Sequence, residues 1–265
     1  MEQNTTGMEL SSSDRLKQQY ELIEIENARV HQTKDGYHCL NCNNRKGKTI
    51  VDEELPSGFL KTSWEVCKCV EIRKAIAGNK ENNLGNLMNY KLEDFLTAEG
   101  YQQYIKTKAI QYINEPLTEA WFTIVGQSGI GKTMICSIIC NERIKQHRVV
   151  KYLLWTEFVE KLKRMSFDEN RNEYFSSYAN VEILYIDDLL KGKWSEADVT
   201  YAFRLINARY NQNLVTIIST ELDIERLREV DEALAGRINE KSKGYLLRSK
   251  HEMDRNYRFK GGGVI

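Results

Sequence analysis

The feature that most constrains this chain is an unbroken G-x-x-x-x-G-K-T phosphate-binding loop, the sequence GQSGIGKT at residues 126–133. An apolar run at 121–125 precedes it like a buried strand, and residues 134–144 follow with the spacing of a helix. Glycines allow backbone N–H groups to surround a polyphosphate, and the following helix adds the positive end of its dipole. We therefore expect a nucleoside triphosphate to bind at Gly126, Gln127, Ser128, Gly129, Ile130, Gly131, Lys132 and Thr133.

Four side chains near this loop have distinct expected roles. Lys132 should reach the β- and γ-phosphates, and Thr133 should place its hydroxyl on Mg²⁺. Asp187 and Asp188 end an apolar strand that follows the loop, and open α/β sheets place their ligand chemistry at such strand ends. Asp187 should hold Mg²⁺ and Asp188 should orient the attacking water. The alternative is that one of these acids merely caps the next helix.

Alternation of strands and helices from residue 120 onward predicts the fold class. Apolar runs at 149–155, 182–188, 214–218 and 245–248 indicate strands. Helical spacing is found at 195–210 and 224–242, and Thr156 is a candidate cap for a helix that includes Met165. This order predicts an α/β fold, with a parallel sheet and helices on both of its faces.

The first part of the chain is predicted to be organised separately. Residues 11–14 supply N-cap candidates for a helix over 15–30, which would either pack on a neighbouring module or bind a partner protein. The Asn- and Gly-rich stretch 78–91 has the composition of a linker, and a polar helix is expected over 92–113. The predicted organisation is a module over 1–77, a linker over 78–91 and a nucleotide-binding domain over 92–265.

Four of the six cysteines form two close pairs, a C-x₂-C at Cys39 and Cys42 and a C-x-C at Cys67 and Cys69. Two such pairs of thiolates suit a tetrahedral Zn²⁺ site, which would stabilise a segment with little core of its own. His38 could replace one thiolate. Four unrelated buried cysteines or disulfides are the alternative, although disulfides are rare in the cytosol.

The two remaining cysteines are expected to pack in a core, and the composition favours a cytoplasmic protein over a membrane protein. Cys136 and Cys140 lie four residues apart on the apolar face of the predicted helix, where core packing is expected. The 38 Lys and Arg residues equal the 38 Asp and Glu residues, so any basic surface must be local. No apolar run approaches ~20 residues, and the polar start differs from a signal peptide. We expect a cytoplasmic protein.

Taken together, these motifs resemble the DnaC/DnaI-type helicase loaders of the AAA+ ATPase superfamily, particularly those encoded by phages of Gram-positive bacteria. The resemblance covers most of the chain from Cys39 onward, through the cysteine pairs, GQSGIGKT, ILYIDDL, VTIISTEL, AGRI and the terminal NYR. It implies an ATPase core with a short C-terminal lid and an N-terminal region that engages a hexameric replicative helicase. It also implies delivery of that helicase onto single-stranded DNA, with ATP controlling self-assembly and the grip on DNA.

The same resemblance implies roles for further residues. Thr220 lies in the segment that resembles sensor 1, where Glu221 replaces the usual Asn, so sensing would fall to Thr220. Arg237 is the arginine-finger candidate, with Lys241 one turn later as the next. Such an arginine can act on the phosphate of a neighbouring subunit. Arg258 resembles the sensor 2 arginine, which contacts the nucleotide.

Single-stranded DNA would need a basic groove with stacking aromatic side chains. The loop that follows the paired acids supplies Lys191, Lys193 and Trp194 next to the predicted ATP site. The alternative is an ordinary solvated loop whose indole folds back onto the protein. Segment 237–260 carries eight Lys or Arg residues against three Asp or Glu residues and is a second candidate strip.

Two other functions share parts of this signature. Transposition-helper ATPases have the same core and serve a transposase, but helpers that resemble this core generally lack a cysteine module. A small-molecule kinase would use the same phosphate loop. However, no acceptor-binding insert is recognisable, and the paired acids with downstream arginines suit hydrolysis better.

Overall fold

The computed structural model describes residues 11–166 and 168–249. The chain divides between Ala77 and Gly78 into two compact units. Among the described residues, every helix is too short or too polar to cross a bilayer.

The first unit combines a helix, a β-hairpin and a second helix. Helix α1 spans Ser12–Ala28 and begins at Ser11, whose hydroxyl accepts from the backbone N–H of Asp14. The remaining elements are β1 (Gly47–Glu54), β2 (Leu60–Val66) and α2 (Cys69–Gly78). The strands pair antiparallel, and α1 is joined to the hairpin by polar side chains such as Asn27, which donates to Thr49 O at 2.9 Å. The four paired cysteines form the buried centre of this unit.

The second unit is built on a five-stranded sheet in the order β4-β5-β6-β3-β7, and the pairs between neighbouring strands are parallel. Its strands are β3 (Phe122–Val125), β4 (Val150–Leu154), β5 (Ile183–Asp187), β6 (Val215–Thr220) and β7 (Leu246–Arg248). Its helices are α3 (Gly100–Asn114), α4 (Lys132–Lys145), α5 (Trp155–Arg164), α6 (Arg171–Ala179), α7 (Glu196–Asn211), α8 (Ile224–Val230) and α9 (Glu232–Lys241). The predicted α/β class with a parallel sheet is confirmed.

Two apolar clusters cover the sheet and hold its strands in place. One cluster contains Trp121, Leu184 and Ile218, and the other contains Phe122, Tyr185 and Ile217. Neighbours along each strand therefore belong to different clusters, as expected for a sheet covered on both faces. Cys136 and Cys140 are fully buried in the second cluster, as predicted.

The stretch 78–91 packs on the second unit through short 3₁₀ turns at Asn79–Glu81 and Gly85–Asn89. Asn79 accepts a hydrogen bond from Val150 N at 2.9 Å, and Leu84 is 2% exposed. The predicted continuous helix over 92–113 is wrong at its start. A 3₁₀ turn occupies Leu92–Asp94, and α3 begins later because Glu99 and Gln102 form a reciprocal capping box.

Two other helix boundaries differ from the prediction. The single helix expected over 224–242 is broken at Asp231, which is extended at φ −159° and accepts from Leu234 N to cap α9. Thr156 lies inside α5 rather than at its cap, because the helix begins at Trp155. Helices α2 and α6 were not predicted.

Candidate functional site

The phosphate loop connects β3 to α4 and requires glycine at its end. Gly131 has φ +93°, and a Cβ placed on it would lie 2.9 Å from Phe95 Cε2. Lys132 is 6% exposed, and its ammonium donates to the carbonyl oxygens of Gly126 at 2.7 Å and Gln127 at 2.9 Å. Burial lowers the pKa of Lys132 from its ordinary value. The loop thus holds a buried cation where a polyphosphate would bind.

Asp187 lies directly beside the first helical turn after the loop. Thr133 Oγ1 donates to Asp187 Oδ1 at 3.2 Å, which brings together the two predicted Mg²⁺ residues. The Asp187 side chain also accepts from Tyr185 at 2.6 Å, from Tyr152 at 3.2 Å and from Ser219. These hydroxyls fix the carboxylate at the carboxyl end of β5. Its hard oxygen donors, with the Thr133 hydroxyl, fit Mg²⁺.

Asp188 is held differently from its neighbour. Its backbone is left-handed at φ +56°, and its N–H donates to Ser219 Oγ at 3.0 Å. Its carboxylate forms an ion pair with Lys191 at 2.8 Å and lines the same pocket as the phosphate loop. This places an acid near the expected γ-phosphate, where it can orient a water molecule.

Four further residues line this pocket, and none of them was predicted from the sequence as a nucleotide-binding residue. They are Tyr90, Met134, Lys191 and Glu221. Tyr90 follows a 3₁₀ turn outside every motif, so the sequence carried no signal for it. Lys191 was considered for DNA contact, but it faces the nucleotide pocket, whereas Lys193 is exposed and Trp194 packs half-buried on the apolar core.

Thr220 does not occupy the position that its expected sensing role requires. It is fully buried, and its hydroxyl donates to Leu189 O at 2.9 Å and accepts from Leu222 N at 3.1 Å. Its neighbour Glu221 is the side chain that lines the pocket. The carboxyl end of β6 therefore presents a carboxylate to the pocket, and the Thr220 side chain is hydrogen-bonded to Leu189 O instead.

Arg237 and Lys241 lie outside this pocket's lining, on a surface formed by α7 and α9. The Arg237 guanidinium lies 5.1 Å from the centre of the Phe203 ring and 5.4 Å from that of Tyr210, and its Nε donates to Asn207 at 3.0 Å. Lys241 pairs with Glu119. Arg237 is thus not aimed at the nucleotide of its own subunit.

Arg258, the residue that resembles sensor 2, lies outside the described residues. Residues 250–260 of the predicted basic strip also lie there.

The four paired cysteines converge in the first unit. All four Sγ atoms lie within 4.8 Å of one another and are buried. Cys39 and Cys67 are 3.8 Å apart at sulfur, and Cys42 and Cys69 are 3.5 Å apart. Tetrahedral zinc with Zn–S bonds of about 2.3 Å requires S···S separations of roughly 3.8 Å, so the donor set fits Zn²⁺ in both chemistry and spacing.

Burial and neighbouring groups act in opposite directions on these thiols, since burial raises the pKa of Cys42 and raises the pKa of Cys69 to about 12. The backbone N–H of Cys69 lowers the pKa of Cys67 to about 7. Arg73 is 8% exposed and donates to Asn44 at 2.8 Å, which places a buried cation beside the sulfurs. His38 is exposed and its Nδ1 is paired with Asn44 at 3.0 Å, so it does not replace a thiolate. The predicted set of four sulfur ligands is brought together, without disulfides.

Comparisons with known proteins agree with this geometry. The phage-like element PBSX protein XkdC of Bacillus subtilis (strain 168) is 27% identical over 233 residues, which are 80% of this chain and 82% of XkdC. The solved DnaC helicase loader matches with a TM-score of 0.51 at 19% identity, over 62% of this chain and 99% of that one. The replication initiator DnaA bound to AMPPCP and single-stranded DNA matches with a TM-score of 0.52 at 26% identity, over 65% of this chain and 52% of that one.

The predicted resemblance to DnaC-type AAA+ proteins is therefore confirmed at the level of the fold. A family model described as IstB-like ATP binding protein matches residues 86–240, which contain the phosphate loop, both acids and Arg237. Because this match covers more than half of the chain, the chain belongs to the family of IstB-like ATP binding proteins.

Proposed function

We propose that this chain is a Mg²⁺-dependent ATPase that loads a hexameric replicative helicase onto single-stranded DNA. The observation that carries the ATPase part is the contact of Thr133 with Asp187 beside the loop lysine, Lys132. In this proposal Lys132 and the loop amides bind the β- and γ-phosphates, and Thr133 and Asp187 hold Mg²⁺. Asp188 orients the attacking water from the pocket side.

A neighbouring subunit would complete the reaction in this proposal. Arg237 is stacked on two aromatic rings at the surface, so its guanidinium is already ordered before any partner arrives. An ordered surface arginine can offset the charge that develops on a neighbour's γ-phosphate. Lys241 is the next candidate, and Arg258 would add a contact to the nucleotide of its own subunit. Hydrolysis would then depend on ATP-controlled self-assembly.

The first unit is the proposed helicase-binding module, held together by Zn²⁺ on the four cysteines. Helix α1 has no buried residue, and it leaves Leu22 59% and Ile25 68% exposed. The hairpin exposes Phe59 at 52% and Trp64 at 48%. Leu22 and Ile25 are neighbours on the helix surface because they lie three residues apart, and exposed apolar side chains that lie together mark protein-binding surfaces. This supports a partner protein for α1 and the hairpin, and the solved neighbour DnaC, a helicase loader, suggests which kind.

Single-stranded DNA is the second proposed partner, since the similar DnaA structure was solved with single-stranded DNA. The net charge is zero, so binding must use a local basic surface such as Lys193 and the segment after Arg237. Replication proteins of this kind work in the bacterial cytoplasm, and the relative XkdC belongs to a phage-like element. We therefore place the chain there, either as a host or a phage-derived protein.

A transposition helper is the second candidate function, because the matching family model is named for IstB-like proteins. Both candidates predict ATP binding and DNA contact, so the protein partner must distinguish them. The tagged full chain is incubated with a replicative helicase and with a transposase of a matching mobile element, each with ATP and without nucleotide. Retention of the helicase supports the loader, and retention of the transposase alone supports the helper. A variant with Leu22→Ser and Ile25→Ser should lose the helicase while keeping ATP binding.

A further inference from the structure

Two lysines of the nucleotide pocket share one carboxylate oxygen. Lys132 Nζ lies 4.0 Å and Lys191 Nζ lies 3.6 Å from Oε1 of Glu221. The distance between the two Nζ atoms is therefore at most the sum of these two distances. A phosphoryl group, whose oxygens are spread around one phosphorus, can contact two cations separated in this way.

Lys191 is placed by a built loop rather than by chance at the surface. Its Nζ pairs with Asp188 Oδ2 at 2.8 Å, and its backbone N–H donates to Asp188 O at 3.1 Å. Both Asp188 and Leu190 have left-handed backbones, at φ +56° and +53°, a conformation that Asp tolerates but that is unfavourable for Leu. The loop is tied to β6 because Leu189 N donates to Ser219 O at 2.9 Å. The loop thus keeps an unfavourable backbone conformation at the point where the Lys191 side chain enters the pocket.

We propose that Lys191 is a second phosphate-binding cation of this site, and that Glu221 is the internal counter-ion which a triphosphate displaces. Lys191 is paired with Asp188, the acid expected beside the attacking water, so it lies at the γ-phosphate end of the pocket. A diphosphate does not reach that end. Lys191 therefore favours ATP over ADP. This inference rests on the proposed ATP-binding function.

The charges in the pocket explain how the exchange works. Lys132 and Lys191 carry two positive charges, which Asp188 and Glu221 balance. A γ-phosphate brings more negative charge than one carboxylate and takes over both lysines. The Glu221 carboxylate, 35% exposed, then faces a like charge and can turn toward solvent. Removing its charge should therefore favour the triphosphate.

The test is equilibrium binding of AMPPCP and ADP, each with Mg²⁺ and without DNA, to the full chain and its variants. Lys191→Gln should weaken AMPPCP binding by about tenfold and ADP binding by less than about threefold, as expected for one charge-assisted phosphate contact. Lys191→Arg, which keeps the charge, should stay within about threefold of wild type for AMPPCP. Glu221→Gln should strengthen AMPPCP binding. Lys145→Gln is the matched control, because this exposed lysine near the end of α4 lies outside the pocket's lining and has no proposed binding role.

Equal losses for both nucleotides in Lys191→Gln, or no loss for either, would overturn the inference. Weaker AMPPCP binding in Glu221→Gln would also overturn it. The thermal midpoint of each variant shows whether it is folded. If Lys191→Gln is misfolded, Lys191→Arg tests the inference instead. A folded Lys191→Arg chain that no longer prefers AMPPCP over ADP would contradict the role of charge. If wild type binds neither nucleotide, the ATPase proposal fails as well. If Lys132→Ala abolishes binding while Lys191→Gln binds like wild type, only this inference fails.

Discussion

At the residue scale, the proposed chemistry depends on two adjacent carboxylates with different surroundings. Asp187 is 3% exposed and accepts from several hydroxyls, including that of Thr133. Asp188 faces the pocket and pairs with Lys191. A buried, fully hydrogen-bonded carboxylate suits a fixed metal contact, whereas a pocket-facing one suits contact with water. The left-handed backbone at Asp188 turns the two side chains into these separate environments.

The two carboxylates should therefore fail differently when each is neutralised. Asp187→Asn should raise the Mg²⁺ concentration needed for turnover, because it lowers the charge at the metal. Asp188→Asn should bind AMPPCP at least as tightly as wild type, because it frees Lys191 from an ion pair, but should slow hydrolysis by about a hundredfold or more, the range typical of a lost catalytic base. Single-turnover hydrolysis across a Mg²⁺ titration measures both effects. If Asp188→Asn hydrolyses ATP at the wild-type rate, a group other than Asp188 orients the attacking water.

Arg209 is a buried cation with a structural role. It is fully buried, and its guanidinium donates to Thr216 Oγ1 at 3.0 Å and to backbone oxygens that include Val181 O at 2.8 Å. These bonds join the end of α6 to the start of β6. Sequence patterns place arginine at the surface, so nothing in the sequence singled out this residue.

Replacing Arg209 should destabilise the second unit rather than alter its chemistry. Arg209→Leu leaves several buried carbonyl oxygens without donors, which should reduce the free energy of unfolding by about 3 kcal/mol. Urea denaturation followed by tryptophan fluorescence measures this change. Arg204→Leu is a suitable comparison, because Arg204 also lies on α7 but stacks on Phe175 at 5.2 Å and is not part of this buried network. Equal stability of the two variants would contradict the account.

At the element scale, the sequence predicted strands better than helix ends. The apolar runs located β3 to β7 because a buried strand needs continuous apolar residues, and that need is visible locally. The break at Asp231 was missed because its cause is a single side chain that caps α9. Such a cap competes with an otherwise helical pattern, and periodicity does not register it.

The residues of the candidate site also fall into two groups. A sequence motif predicts some of them, and only the fold brings the others to the pocket. Lys132, Thr133 and Asp187 were predicted because their motif specifies their chemistry at fixed spacing. Tyr90 was not, since it reaches the pocket only through the packing of residues 78–91, and in the segment that resembles sensor 1 the sequence favoured Thr220 over Glu221. The cysteine cluster was predicted because thiolate pairs at short spacing have few other uses.

The four-cysteine element should contain one Zn²⁺ per chain. Metal analysis of the full chain, purified without added zinc, tests this directly, and a folded chain free of zinc would contradict it. Cys67→Ser should lower the zinc content and expose the first unit to proteolysis, because the metal supplies much of its folding energy. ATP binding should persist, since the second unit has its own core. Cys140→Ala, in that core, should keep one Zn²⁺ per chain.

At the scale of the whole molecule, activity is proposed to depend on assembly. Arg237→Ala should keep AMPPCP affinity while reducing turnover by about a thousandfold, the effect of a lost arginine finger. Mixing it with Lys132→Ala should restore part of the activity, because an intact ATP site in one subunit then meets an intact Arg237 from the other. Turnover is measured against the mixing ratio. If chains that co-assemble recover nothing, the arginine-finger role of Arg237 is wrong. Arg237 is then structural, because it lies outside the lining of its own subunit's pocket, and Lys241 is the next residue to test.

The central claim is that ATP bound at this site drives placement of a helicase on single-stranded DNA. The most direct test uses closed circular single-stranded DNA. A circle has no end to thread through a closed ring, so the helicase ring must itself open before it can encircle this DNA. The helicase that remains on the circle after gel filtration is quantified with wild type, with Lys132→Ala and without loader, each with ATP. The account predicts that wild type raises this amount and that Lys132→Ala leaves it at the level without loader. Equal amounts of helicase on the circle in all three samples would contradict it.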